Sequence, residues 1–389
     1  MQIAIDASAL FGPSDGIGRY VSSLVPELIE LGGADTHWQL LGRRNRLRER
    51  ESSTQPAWSC APNISWRADY LPSAIGRPLS IATSQPLWLN RLAPDVYWGP
   101  AHRLSWGIPR TTARVLTIHD LCWRQAPHTM RSATRRLDQW LMPGALHQAD
   151  KIIAVSQSTA NDLLAWQPDL EDKVVVLHEA ADIGIPDDTP TRLQALGVRS
   201  RFILFVGGLE PRKNLARLIE AFARIPQRVR ADTQLVIVGG HGWGGIDVGQ
   251  LAQRFGVESD VLPLGSVDER CLATLYRFAH CLAMPSLYEG FGLPVLESLS
   301  LGTPALVSRG GALEEVAGPA GLLVDALSVQ SIADGLSTLL ADTVLRSRLA
   351  ADAKPWALRF SWHKAAAETW VVFHAALARR QRLLSNNAI

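Results

Sequence analysis

Apolar residues in this chain fall into two alternating patterns. Short unbroken runs are followed by longer stretches in which apolar positions return every three or four residues. The first pattern predicts strands buried on both faces, and the second predicts helices that cover them. In the first half the runs are Gln2–Ala7, Trp38–Leu41, Asp95–Trp98, Arg114–Ile118, Lys151–Val155 and Lys173–Leu177. In the second half they are Phe202–Val206, Gln234–Val238, Val261–Leu264, His280–Met284, Pro304–Val307 and Gly321–Val324. Between them, Arg19 to Leu31 places Val21, Leu24, Val25, Leu28 and Ile29 on one helical face. Arg131–Gln148, a segment capped by Ser156 or Ser158 and running to Leu164, and Ser361 to about Leu384 read as further helices. Strand–helix alternation of this kind predicts an α/β protein with parallel sheets covered on both faces. Residues 51–110 are rich in Pro, Ser and Trp and show no clear period before Asp95.

At 389 residues the chain is too long for one ordinary domain and fits two. Gly184-Ile185-Pro186-Asp187-Asp188-Thr189-Pro190 has a linker's composition. The expected division is residues 1–184, residues 191–360, and a terminal segment 361–389. Formal charge is +2, which gives no bulk argument for nucleic acid as a partner. Met1–Asp6 leads directly into a strand with no signal-peptide pattern, and no run of eighteen apolar residues is present. Cys60, Cys122, Cys271 and Cys281 show no metal-ligand spacing and read as free thiols, so a cytoplasmic protein is expected. Of the thirteen Trp, many lie in the first third, including Trp58, Trp66, Trp88, Trp98, Trp106 and Trp123.

The candidate chemistry centres on Ser286-Leu287-Tyr288-Glu289-Gly290-Phe291-Gly292-Leu293-Pro294-Val295-Leu296-Glu297. It reads as a strand end, a glycine turn, and a helix begun at Pro294. The open helix N-terminus suits an anion or an oxygen-rich sugar. Glu289 falls on the loop and Glu297 in the first helical turn, too far apart in sequence to form a local carboxylate dyad. A second stretch, Gly207-Gly208-Leu209-Glu210-Pro211-Arg212-Lys213-Asn214, places two cations at an exposed loop edge after a buried strand. Arg212 can grip a phosphate bidentately and Lys213 adds a point charge. His119-Asp120 stands past the carboxyl end of a strand, where ligands of open α/β sheets bind. Gly239–Gly245 occupies a similar edge. Gly16-Ile17-Gly18 departs from the nicotinamide fingerprint, because Val21 stands where a third glycine belongs. Arg43–Arg50 is a basic run that reads as a solvated loop or a contact to anionic lipid.

Gly207…Arg212-Lys213-Asn214, the Glu289/Glu297 pair, Thr117-Ile118-His119-Asp120-Leu121 and Gly16-Ile17-Gly18-Arg19-Tyr20 occur in an order that resembles the retaining family 4 glycosyltransferases. The resemblance runs from Ile3 to about Leu340. It implies a GT-B fold of two Rossmann-like domains facing across a cleft, with the last helix crossing back to the first domain. It implies that His119, Glu289, Arg212 and Lys213 serve the chemical step. The donor would meet Gly16, Gly18, Gly208, Arg212, Lys213, Ser266, Val267, Glu289, Gly290, Phe291, Gly292, Leu293 and Glu297. Glu297 would take the ribose, and Glu289 the transferred sugar. No cofactor is implied; the donor is a nucleoside-diphosphate sugar. No Asp-x-Asp occurs, and Arg212-Lys213 can do the electrostatic work of a metal. The Ile5-Asp6-Ala7 opening looks like bacterial mannosyl- and rhamnosyltransferases of O-antigen or exopolysaccharide assembly. GDP-mannose therefore leads as donor, with dTDP-rhamnose and UDP-sugars behind, and the acceptor would be a polyprenyl-diphosphate-linked glycan. Arg43–Arg50 with the Trp residues, and Arg379-Arg380-Gln381-Arg382 with Leu383-Leu384, have two readings: the Trp residues are core and the arginines solvated, or both serve reversible attachment to the cytoplasmic leaflet. Where relatives carry Pro-Asn-Gly-Val-Asp, this chain has His178-Glu179-Ala180-Ala181-Asp182, so no role carries over there. An epimerase, a phosphorylase and a non-catalytic binding module stay open as alternatives.

Overall fold

The computed structural model describes residues 1–11, 16–43, 61–69, 93–105, 107–240 and 242–386. The chain forms two compact units. The first contains Met1–Leu121, Ala133–Glu179 and Ser361–Ile389; the second contains Cys122–Ser132 and Ala180–Phe360. Cys122–Ser132 thus leaves its sequence neighbours and joins the second unit. The composition-based linker also belongs to that unit, where the Asp187 N–H donates to Thr274 Oγ1 at 2.9 Å.

The first unit is built on β1 (Gln2–Asp6), β2 (His37–Arg43), β3 (Ile64–Asp69), β4 (Val96–Gly99), β5 (Ala113–Ile118), β6 (Lys151–Ala154) and β7 (Val174–Val176). They form one parallel sheet in the order β3-β2-β1-β4-β5-β6-β7. The central strands are fully buried, as unbroken apolar runs require. β3 is the strand that periodicity did not reveal. It pairs only with β2 and is half-buried along Ile64–Trp66, so it needs no continuous apolar run. The helix Trp362–Asn386 belongs to this unit. Its Trp362 meets Tyr20 at 5.9 Å between ring centres, Trp370 meets Trp38 at 6.0 Å, and Phe373 meets Trp98 at 5.7 Å.

That packing decides one open reading and corrects one expectation. Trp38 and Trp98 are core residues with no exposed surface, because they fill the space between sheet and terminal helix. Arg379 and Arg380 are not free cations for a lipid surface. Arg379 pairs with Asp172 at 2.6 Å, and Arg380 forks onto Asp150 at 3.0 and 2.8 Å. Residues 44–50 of the basic run, with Trp58, Trp88 and Trp106, lie outside the described residues. Among the described residues, no helix is long and apolar enough to cross a membrane.

The second unit carries β8 (Arg201–Val206), β9 (Thr233–Val238), β10 (Val261–Gly265), β11 (Cys281–Met284), β12 (Ala305–Ser308) and β13 (Gly321–Val324). Their parallel order is β10-β9-β8-β11-β12-β13. Leu218, Ile219 and Phe222 of the helix Leu215–Arg224 and Ile332, Leu336 and Leu339 of Val329–Ala341 join Phe205, Leu235 and Ile237 in one apolar core. Both orders reverse once: after β1 in the first sheet and after β8 in the second. Loops leaving the two strands at such a reversal diverge and leave a crevice, the usual ligand position in open α/β sheets.

Candidate active site

In the second unit the reversal puts the loops after β8 and β11 side by side. A backbone bond and a side-chain bond join them. The Leu287 N–H donates to Arg212 O at 2.8 Å, and Arg212 Nη1 donates to Tyr288 O at 3.0 Å. Asn214 sits in the left-handed region at φ 60° and caps the Leu215–Arg224 helix from that conformation. Its side-chain amide donates to Pro285 O at 2.9 Å and Ala326 O at 2.7 Å, so this residue is a structural brace.

The brace brings Arg212, Lys213 and Glu289 into one cluster. Glu289 accepts a short hydrogen bond from Arg212 Nη1 and lies 2.8 Å from Lys213 Nζ. Glu210 stands 3.8 Å from Arg212 on the outer side. The expectation of an exposed edge is therefore corrected: the Arg212 and Lys213 side chains are only 17% and 12% exposed. Burial would push the Glu289 carboxyl up, but the Arg212 and Lys213 charges outweigh it and hold it at about 2. Burial pulls the Lys213 ammonium below its ordinary value, against the opposing Glu289 charge. Arg212, Lys213 and Glu289 are largely enclosed, and the Glu210 carboxylate stands at their outer side with its side chain 33% exposed. Such a cluster can receive a diphosphate once Glu289 gives way.

Gly207 at φ 155° turns the chain out of β8, with Lys213 Cε only 3.3 Å from where a Cβ would stand. Gly208 carries no such requirement, since its Cβ position meets nothing nearer than 3.7 Å. After β11, Gly292 has φ 112°, and a Cβ there would meet Leu313 at 2.5 Å. The helix Leu293–Ser300 begins at Leu293, with Pro294 following, and no side chain caps its N-terminus. Gly290, Phe291 and Leu293 are buried around that end. Glu297 falls in the second helical turn, not the first, because the helix starts one residue before the proline. It is 2% exposed and accepts from Tyr276 Oη at 2.7 Å. The carboxylate is thus enclosed and held by Tyr276, a partner that spacing did not suggest. Ser266 and Val267 follow β10, two strands outward from β8, and stand outside this cluster.

The first unit has its own cluster at the carboxyl edge of its sheet. His119 follows β5. Its Nδ1 lies 2.9 Å from Glu179 Oε1, and its Nε2 lies 2.7 Å from Pro100 O. Tyr20 sets its ring edge-on against His119 at 4.8 Å and its hydroxyl 3.4 Å from Thr117 Oγ1. Trp98 Nε1 donates to the same Thr117 hydroxyl at 3.0 Å. Burial alone would lower the His119 pKa; the hydrogen bond and charge of Glu179, the Pro100 carbonyl and the Asp120 charge turn the net shift upward. Glu179 is 3% exposed. It was the position to which no role carried over, yet it leaves β7 at the same sheet edge as His119, which was the signal available. Gly18 is buried in the helix Gly16–Gly32, whereas Gly16 is exposed at its start with open space where a Cβ would point. A hollow of about 330 Å³ beside Trp140 shares no lining residue with either cluster.

Two Rossmann-like units, each built on a parallel sheet and one with a cation–carboxylate cluster at its strand-order reversal, are the architecture of the GT-B class. The second unit matches the model of glycosyl transferases group 1 over residues 193–356, and the first matches glycosyltransferase family 4 over residues 14–184. The chain belongs to this glycosyltransferase family and is a glycosyltransferase. It is 28% identical over 330 residues to the O-antigen chain mannosyltransferase B of Escherichia coli, covering 79% of this chain and 85% of that one. It is 31% identical over 290 residues to a D-inositol 3-phosphate glycosyltransferase of Corynebacterium glutamicum, covering 70% and 68%. Its fold is similar to that of sucrose-phosphate synthase from Thermosynechococcus elongatus, with a TM-score of 0.75, 20% identity, and 97% and 99% of the two chains covered.

Proposed function

We propose that this glycosyltransferase moves a hexose, mannose first, from a nucleoside-diphosphate sugar to a hydroxyl of a bacterial surface glycan, with retention and without a metal. The observation that carries the donor assignment is the Arg212–Lys213–Glu289 cluster at the β8/β11 reversal. Two partly buried cations and an uncapped helix N-terminus suit a pyrophosphate, and the cations' charge grows in value as the leaving group becomes more negative. Glu289 exchanges its cation partners for sugar hydroxyls when the diphosphate arrives. Glu297, braced by Tyr276, takes the nucleotide's ribose side. In the transfer, the bond from the acceptor oxygen to the anomeric carbon forms on the face from which the phosphate departs. The acceptor's proton goes to the leaving phosphate oxygen. His119 does not serve as the base, since both ring nitrogens already face acceptors.

Mannose and GDP lead because a relative over most of the chain is named as an O-antigen mannosyltransferase. The likeness to D-inositol 3-phosphate glycosyltransferases supports a second reading with a small phosphorylated acceptor. A lipid-linked acceptor and reversible membrane contact belong to the first reading. The test begins with melting shifts for GDP-, UDP- and dTDP-sugars, since a ligand at a hundred times its Kd adds about 2.7 kcal/mol. The donor that binds is then incubated with polyprenyl-linked glycan, with inositol phosphate, and with neither, each with and without excess EDTA. Transfer to the glycan in EDTA is expected. Transfer only to inositol phosphate selects the second reading, and activity restored only by Mg²⁺ overturns metal independence. Vesicle sedimentation at low and high salt tests the membrane contact.

A further inference from the structure

His119 holds a position that a neutral imidazole cannot fill beside an ionised Glu179. A neutral ring has one N–H donor and one lone pair. Here Nδ1 faces the Glu179 carboxylate and Nε2 faces the Pro100 carbonyl, at 2.9 and 2.7 Å. With the proton on either nitrogen alone, the other lone pair points at an oxygen lone pair. The His119 side chain is 11% exposed and that of Glu179 4%, so water does not relieve the conflict cheaply. Only the imidazolium donates to both.

We propose that Glu179 is a positioning residue that keeps His119 protonated, so that one imidazolium cross-braces the exits of β4, β5 and β7 at the sheet edge used for transfer. Pro100 follows β4, His119 follows β5, and Glu179 is the last residue before the chain passes into the second unit. The other groups facing the ring fit this role. Tyr20 offers an edge-on ring and a phenol that burial keeps protonated, and Asp120 adds a second negative charge. Thr159 Oγ1 donates to the His119 carbonyl at 3.4 Å and fixes the backbone from the helix Gln157–Trp166. His119 then acts as a fixed, doubly donating cation and never as a proton acceptor. The functional half of this inference rests on the transferase reading above; the protonation half does not.

The experiment is ¹⁵N-detected imidazole NMR on the full chain, with His119 assigned by the signal lost in His119→Asn. Both ring nitrogens of His119 are expected to carry protons at neutral pH. A neutral tautomer, or the shared proton found on the glutamate, overturns the proposal from the wild type alone. In Glu179→Gln, the His119 titration should move down by roughly 1–3 pH units, the usual effect of losing a close opposite charge. The alkaline limb of kcat/KM for the donor should move down with it, and Glu179→Asp should partly restore both. An unchanged titration overturns the pairing. A moved titration with an unmoved activity limb overturns the positioning role. Absence of transfer to every acceptor tried refutes the transferase reading and leaves the NMR result to decide the rest.

Discussion

Glu289→Ala tests the cluster most directly, because Glu289 contacts both cations at once. The substitution leaves Arg212 and Lys213, adjacent in sequence and mostly buried, to face each other. Removing one partner of a buried ion pair costs about 3–5 kcal/mol. The lower end applies, since Arg212 keeps its bond to Tyr288 O and the Glu210 carboxylate at 3.8 Å. Lys213 can also shed its proton. At about 2–4 °C per kcal/mol for a domain of 150–250 residues, a loss of ~3 kcal/mol lowers the second unit's melting point by about 6–12 °C.

Two features separate this cost from a plain packing defect. Burial and the Arg212 charge hold Lys213's folded pKa below its unfolded value, and losing Glu289 lowers it further. Between the lowered pKa and the ordinary ~10.4 the unfolded chain binds the extra proton, so stability rises with pH there, and more steeply in the variant. A nucleoside diphosphate also supplies the missing anion, so it should raise the variant's melting point at least as much as the wild type's. Calorimetric melts at about pH 7.5 and about pH 9.5, with and without the diphosphate, measure both effects. A variant that melts within about 2 °C of wild type near neutrality would refute the reasoning. So would weaker stabilisation by diphosphate at equal occupancy.

Arg212→Ala and Lys213→Ala should each lower transfer by roughly 10²-fold or more, as for other lost transition-state donors; steady-state turnover equal to wild type removes them from the reaction. Tyr276→Phe takes a hydrogen bond from buried Glu297 and should cost about 1.5–3 kcal/mol of stability. Glu297→Ala should weaken nucleoside diphosphate binding by titration calorimetry, where Glu289→Ala should not; equal losses contradict the division between the two glutamates. The Glu289 carboxyl, held at about 2 against an ordinary 4.5, contributes stability that is complete above 4.5 and is lost as pH falls through 2. Glu289→Gln should flatten acid unfolding in that window, and an unchanged acid limb would show that the carboxylate gains nothing from its cations.

Among the described residues, twelve of the thirteen strands were legible because each carries a short, mostly apolar run, a local property that central parallel strands require. Ile64–Asp69 was not, since an edge strand covered on one side tolerates Ser65 and Arg67. Glycine positions were readable where the backbone demands them. Gly292 would clash through its Cβ with Leu313, and Gly207 sits at φ 155°. Gly208, from the same loop as Gly207, and Gly16, at the start of the helix Gly16–Gly32, meet no such demand. Composition left the tryptophans open between core and interface, because it counts a side chain without locating it: Trp38 and Trp98 seal the core under the terminal helix.

The site residues were legible as a set but not as partners, and the reason is topological. Arg212 and Glu289 are 77 positions apart, and His119 and Glu179 are 60 apart. Each pair meets because its members leave strands at the same sheet edge. No local period encodes that meeting, but strand order does. Read as separate ligands, Arg212 and Lys213 look like free cations awaiting phosphate, and His119 looks like an unpartnered group of the chemical step. Read through the order β9-β8-β11 and the edge shared by β5 and β7, the charges are already balanced by Glu289 and Glu179. Buried charge of either sign is costly unless paired, so a site that must hold cations for a diphosphate must hold an anion in its absence. Glu289 is the anion that balances Arg212 and Lys213. On the proposed donor assignment it would become available to the sugar only after the diphosphate has taken its place. Sugar recognition would then be coupled to the arrival of the phosphates.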